Sequence, residues 1–207
     1  MVILGIDPGY AIVGWGVIEY VHSHFRVINF GAITTPAGMP FEERLERIYD
    51  EMTLLLSRYH PDAMAVEQLF FSTNQKTGID VAQARGVILL AAKKQTVPMF
   101  EYTPLQVKQS VVGYGQAVKK QVQEMTRMLL SLKAVPKPDD TADALAVAIC
   151  HAHSSGSNAS IGRLLGSTKG KSQKQVLADY YEKLYNEQQK KKRMNQNAVQ
   201  SKRNPHP

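Results

Sequence analysis

The chain has 207 residues, 43% of them apolar, and carries 25 Lys and Arg against 18 Asp and Glu, a formal net charge of +7. That length suits one domain with an appendage, and no apolar run reaches the roughly 20 residues that a membrane span needs. The start has no basic n-region before its apolar run, and a single cysteine, Cys150, can form no internal disulfide, so a reducing, cytoplasmic setting with no membrane contact is expected.

The charge divides the chain. Residues 155–207 hold 11 Lys and Arg and 3 Asp and Glu, whereas residues 1–154 hold 14 and 15. The basic character therefore belongs to the tail, which either attracts polyanions through a salt-dependent, sequence-independent force or is simply a solvated charge run. A folded domain over 1–154 and a basic, partly helical or disordered tail over 155–207 are expected.

Val2-Ile3-Leu4-Gly5-Ile6 reads as a buried strand that ends on Asp7, and Pro8-Gly9 turns the chain at once. A second strand follows through Val13, Trp15 and Val17 to Tyr20. Phe25–Thr35 reads as a third, broken by Pro36, Gly38 and Pro40. From Phe41 to Tyr59, apolar Leu45, Ile48, Tyr49, Met52, Leu55 and Leu56 recur at helical spacing. His60-Pro61-Asp62 closes that helix, and Ala63–Glu67 is a second short apolar run ending in a carboxylate.

Gln68–Thr77 reads as a loop holding Phe70 and Phe71, followed by a helix over 78–94 whose Val81, Ala84, Arg85, Ile88, Ala91 and Ala92 form a small-residue face. Val97–Thr103 reads as a strand. Thr103-Pro104 opens a short helix with a cap residue and a proline at its first position, and Gly113 ends it. A helix over 117–132 and the connector Val135-Pro-Lys-Pro138 lead to a last helix that begins at Asp139 and continues to His151. Ser154–Ser160 marks the end of the domain. Beyond it, Val176, Leu177, Tyr180, Tyr181, Leu184 and Tyr185 fall on one helical face before Lys190–Arg193.

The first three strands are linked too tightly for crossover helices, so they form an antiparallel meander; the later two alternate with helices and join in parallel. The expected fold is α/β, a mixed five-stranded sheet flanked by helices.

Four acids are singled out by position. Asp7 and Glu67 each end an apolar strand, and Asp140 and Asp143 share a face of a first helical turn. Each also has a plainer reading, as a turn residue, a strand-end acid, or helix-capping acids favoured by the dipole. Spacing alone leaves Asp139 as open as Asp140, since it lies four residues before Asp143. If the strand tips and the helix start meet, four carboxylates in one small site require cations to neutralise them. Oxygen-only donors favour Mg²⁺ or Mn²⁺, and two such ions roughly 3.5–4 Å apart suit in-line displacement at phosphorus.

With these residues in hand the chain resembles a known family. GIDPG at 5–9, VEQLF at 66–70, QARG at 83–86, QVKQSVVGYG at 106–115 and DDTADALAVAICHAH at 139–153 are similar, in order and spacing, to the RuvC family of Holliday-junction resolvases. The resemblance covers about residues 1–153. It implies an RNase H-like fold, a homodimer, and paired Mg²⁺-dependent nicks in a four-way DNA junction during recombination and repair, with two Mg²⁺ per site and Mn²⁺ as a substitute. It implies metal-binding, catalytic roles for Asp7, Glu67, Asp140 and Asp143, preferring Asp140 to Asp139 because the family pattern is D-x-x-D-A-L. It also implies DNA contacts for Lys108 and Lys119, with Lys120 and Arg85 as further candidates, base stacking for Phe70, and a RuvA-RuvB branch-migration complex as partner.

His151 and His153 read as helix-end residues interacting with the dipole, and Cys150 as a buried thiol. An actin-like sugar kinase also carries a D-x-G loop after a strand, but Tyr10 stands where such a loop has Thr or Ser, and the chain is short for two lobes. A junction-binding scaffold without catalysis would not need all four acids.

Overall fold

The computed structural model describes residues 1–69 and 75–164, with the backbone alone at 75–77 and 156–164. Three strands come first: β1 (Val2–Asp7), β2 (Ile12–Val21) and β3 (His24–Thr34). β1 with β2 and β2 with β3 are antiparallel. The β2–β3 connection is just His22 and Ser23, both at positive φ (48° and 64°), which matches the twist of a two-residue hairpin.

Helix α1 (Phe41–Tyr59) buries Ile48, Met52, Leu55 and Leu56 and ends where His60 turns left-handed and donates its N–H to the Leu56 carbonyl at 3.0 Å. Then come β4 (Ala63–Glu67), α2 (Gln75–Lys94) and β5 (Met99–Tyr102). β4 runs parallel to β1, and β5 parallel to β4, giving the order β3-β2-β1-β4-β5. The expected mixed sheet is therefore the observed one. Helices α3 (Pro104–Val112), α4 (Lys119–Leu129) and α5 (Asp139–Leu164) complete the described chain. Thr103 caps α3: its hydroxyl accepts from Gln106 N–H at 3.2 Å, and Gln106 Oε1 accepts from Thr103 N–H at 2.8 Å.

The sheet divides the core into two clusters. On one face, Leu4, Ile6, Val13, Val17, Met64 and Val66 meet Ile48, Met52 and Leu56 of α1 and Ala84, Ile88, Ala91 and Ala92 of α2. On the other, Ile3, Ile18, Ala65 and Tyr102 meet α5, with Val107, Val111 and Val122 of α3 and α4 in the same cluster. Every residue of α5 from Ala144 to Ala152 except His151 is apolar and at most 1% exposed. A helix that is apolar on all sides must be covered on all sides; here the sheet lies against one side, and α3 and α4 contribute to the same cluster.

Several boundaries differ from expectation for local reasons. Helix α2 starts at Gln75 rather than at 78. Strand β5 keeps only Met99–Tyr102, because Thr103 is taken up as the α3 cap. Helix α4 spans 119–129, not 117–132: Gln121 Oε1 accepts from Val118 N–H at 2.9 Å at one end, and Ser131 adopts a φ of 53° just past the other. The largest difference is in α5, whose backbone continues through the Ser/Gly/Asn-rich segment to Leu164. His151 and His153 are therefore mid-helix residues, and the helix-end reading is corrected. His151 is 3% exposed, shares a 2.8 Å hydrogen bond with the Tyr102 hydroxyl and packs on Phe100; burial lowers its affinity for a proton. His153 lies against Phe25 and 3.2 Å from Ser110 Oγ, with burial pushing its imidazole down to about 4. Cys150 is buried as expected, its thiol pushed up to about 11. Phe70, Phe71 and residues 165–207 lie outside the described residues. Among the described residues, no helix is long and apolar enough to cross a membrane.

Candidate active site

Asp7 and Glu67 end neighbouring parallel strands. The register runs from Ile3–Ala63 to Ile6–Val66, so the two acids stand side by side one step further on. Side chains alternate along a strand. Leu4, Ile6, Met64 and Val66 belong to the α1/α2 cluster, and Ile3 and Ala65 to the α5 cluster. Asp7 and Glu67 therefore project from the α5 face.

Asp140 reaches the same place through β2. Asp7 pairs with Gly14, and a Cβ on Gly14 would lie 2.0 Å from the Asp140 carbonyl oxygen and 3.0 Å from its Cβ. The first turn of α5 thus rests on bare strand backbone beside Asp7. A second bare position, Gly5, lets the middle of α5 down onto the sheet: its Cβ would lie 2.1 Å from the Ala144 carbonyl oxygen. Thr141 Oγ1 donates to Gly31 O at 3.1 Å and fixes the helix start to β3. Asp143 follows one turn after Asp140 on the same side.

The electrostatics report the crowding. Burial, then the charges of Glu67, Asp143 and Asp140, push Asp7 up to about 8, with Lys119 opposing. Glu67 is raised by burial and by Asp143, against a hydrogen bond with Asp7 and the charges of Lys119 and Lys108. Asp143 is raised by burial despite a Lys119 Nζ to Oδ2 contact of 2.7 Å. Burial alone would lower the Lys119 ammonium, but Asp143, Asp139 and Asp140 outweigh it and raise it. Asp139 turns away: its Oδ1 is 2.5 Å from Lys137 Nζ, a bond that holds its carboxyl low. It is not among the charges that raise Asp7.

Glu67, Asp143, Lys108 and Lys119 line one cleft of about 160 Å³ with a floor of Val107, Val122 and Ala146. Of the other basic candidates, Lys120 is exposed beside Lys119. Arg85 stands apart. It lies on α2, on the opposite face of the sheet, with its guanidinium 2.6 Å from Glu101. Phe70 falls outside the described residues.

The turn after Asp7 has supports that sequence reasoning missed. Tyr10 O accepts from Thr35 Oγ1 at 2.8 Å, and the Tyr10 ring packs 5.5 Å from Phe41 and under the Arg44 guanidinium at 4.5 Å. Arg44 is 7% exposed and donates from Nη2 to Pro36 O at 2.6 Å. The missed signal for α5 seating was legible: Gly5 and Gly14 each sit on the strand face that carries the acids.

The donor set fits hard divalent cations chemically: four carboxylates at one place, with Asp7, Glu67 and Asp143 raised by burial and by neighbouring acids, and no sulfur or imidazole among them. Among the described residues, no group of three or more His, Cys, Asp or Glu side chains stands ready to hold a metal as it is. A hydrogen bond ties Asp7 to Glu67, and Lys119 pairs with Asp143.

The sequence profile of the family described as crossover junction endodeoxyribonuclease RuvC matches residues 3–151. The crossover junction endodeoxyribonuclease RuvC of Clostridioides difficile strain 630 is 60% identical over 154 residues, covering 74% of this chain and 91% of that protein. The Thermus thermophilus RuvC structure is 37% identical with a TM-score of 0.72, over 76% of this chain and 97% of that one. T. thermophilus RuvC in complex with a Holliday junction substrate is 38% identical with a TM-score of 0.71, over 75% and 94%. The chain therefore has an RNase H-like fold and belongs to the crossover junction endodeoxyribonuclease RuvC family.

Proposed function

We infer that this protein resolves four-way DNA junctions by paired, Mg²⁺-dependent nicks in homologous recombination and DNA repair. The observation that carries this is the meeting of Asp7, Glu67, Asp140 and Asp143 at one sheet end, beside a basic cleft, in a RuvC-family chain. Asp7, Glu67, Asp140 and Asp143 would hold two Mg²⁺, with Mn²⁺ able to substitute. The pair of cations, when bound, supplies the charge for water attack at phosphorus and for departure of the leaving oxygen. Lys108 and Lys119 steady the scissile phosphate, and Lys120 contacts the DNA backbone. Arg85 is the weaker DNA-contact candidate, its guanidinium lying 2.6 Å from Glu101 on the far face. Phe70, just past Glu67, would stack on an unpaired base.

Paired nicks call for two such sites. Helix α2 supports a homodimer: Ile79 and Leu90 are 58% and 54% exposed, and Gly86 between them on that stripe has open space where a Cβ would be. A RuvA-RuvB branch-migration complex follows as a partner from the family alone. The single buried thiol fits a cytoplasmic setting, and the basic tail would add sequence-independent DNA attraction.

The test compares a four-way junction with linear duplex of the same sequence, with and without Mg²⁺. Paired nicks in strands of like polarity, only in the junction and only with metal, are expected; equal cutting of the duplex would overturn the reading. A pH experiment tests the ligands. Asp7 and Glu67 bind protons more tightly folded than unfolded, and metal must displace those protons. Folded-state stability from Asp7 is thus present at low pH and lost as pH rises from its unfolded value toward about 8. The Mg²⁺-induced rise in Tm should therefore be larger at pH 8 than at pH 6, with protons released on binding by calorimetry in two buffers. A pH-independent increment would exclude these acids as the ligands.

A further inference from the structure

Three of the four carboxylates have a partner within the chain: Asp7 with Glu67, and Asp143 with Lys119. The second pairing matters for the metal: a divalent cation cannot share Asp143 Oδ2 with an ammonium 2.7 Å away without strong like-charge repulsion, whereas the ammonium keeps two further N–H donors with which to meet a phosphate oxygen.

The geometry allows exchange. Lys119 is the first residue of α4, and its side chain is 57% exposed while Asp143 is 21% exposed. The ammonium therefore reaches in from the rim on a flexible four-carbon stem. The cleft it borders also contains Glu67 and Lys108, so its second position needs only a side-chain rotation.

Resting on the metal-site reading above, we propose that Lys119 is an exchangeable counter-ion: it holds Asp143 in the metal-free protein, competes with divalent cations for that carboxylate, and is released by them toward the DNA phosphate. Linkage then works both ways. A phosphate that draws Lys119 off Asp143 makes metal binding easier, and metal that displaces Lys119 makes a cation available to the phosphate. The ion pair thereby suppresses metal loading until DNA arrives.

The signature is a pair of opposite effects from one substitution. Mn²⁺ affinity is measured without DNA, by electron paramagnetic resonance, for wild type, Lys119→Met, Lys119→Gln and Lys120→Met. Thermal melts in chelator establish folding. Both Lys119 variants are expected to bind Mn²⁺ about two- to fivefold more tightly, the range set by a half-exposed ion pair, yet to cleave junctions more slowly at saturating metal. Lys120→Met removes the same charge one residue away and should leave Mn²⁺ affinity close to wild type. Unchanged or weaker Mn²⁺ binding in folded Lys119 variants overturns the proposal, as does an equal gain in Lys120→Met, which would reduce it to general electrostatics. Absence of Mn²⁺ binding in all four proteins would instead remove the metal reading of the acids, and this proposal with it.

Discussion

Asp7→Asn is expected to lower junction nicking by at least about a thousandfold, ~4 kcal/mol of barrier, while leaving junction binding intact. The amide keeps the size of the side chain and can donate to Glu67, so the turn and the Glu67 partnership survive. What is lost is a charge that the proposed cations require. The same substitution should stabilise the metal-free protein. Burial and three neighbouring acids push Asp7 up to about 8 from 3.8, so the folded state keeps a proton that the unfolded chain has lost over that interval. That linkage costs stability increasingly as pH rises to about 8. An amide cannot ionise and escapes the cost. In chelator, Asp7→Asn should therefore melt higher than wild type, by on the order of 2–4 kcal/mol at pH 8 and much less at pH 5. Activity near wild type would sink the metal-ligand role. A lower Tm at pH 8 would mean that Asp7 is not a strained, repelled acid at all.

The acids were legible because strands advertise them. An apolar run of five residues that stops on a carboxylate, twice, is visible without structure, and strand parity then puts Asp7 and Glu67 on one face. Asp140 against Asp139 was not legible from spacing. The structure brings Asp140 beside Asp7 by seating α5 on Gly14, while Asp139 pairs with Lys137. The histidines were misread for a related reason. Ser154–Ser160 has the composition of a linker, yet the helix passes through it, so the residues taken for a helix end lie within the helix. Arg85 sits in a motif shared with the family, but motif membership says nothing about which sheet face a side chain joins; its 2.6 Å contact with Glu101 does. The counter-ion role of Lys119 had no sequence signature, because the pairing joins the start of α4 to the first turn of α5 across a connector.

Gly14→Ala and Gly5→Ala should fail in different ways, and the contrast tests how the site is built. Both residues lie under α5, and a methyl group on either would enter its backbone. At Gly5 the new Cβ would stand 2.1 Å from Ala144 O, 2.8 Å from Ala148 Cβ and 2.9 Å from Ala148 N. That is the middle of the helix, buried on all sides, so there is nowhere for it to move. Gly5→Ala should cost ~3 kcal/mol or more, with activity lost in step with the folded fraction. At Gly14 the Cβ meets only Asp140: its carbonyl oxygen at 2.0 Å, its carbonyl carbon at 2.3 Å and its Cβ at 3.0 Å. Asp140 is at the start of the helix, where a first turn can lift at a cost of ~1–3 kcal/mol. Lifting that turn carries Asp140 off its place beside Asp7, and a displacement of about 1 Å costs on the order of a hundredfold in rate. Folded Gly14→Ala is therefore expected to lose about a hundredfold or more in nicking per folded molecule, and to show weaker Mg²⁺ stabilisation in thermal melts. If folded Gly14→Ala nicks at the wild-type rate, the bare backbone at position 14 serves packing alone, and the placement of Asp140 must come from elsewhere in α5.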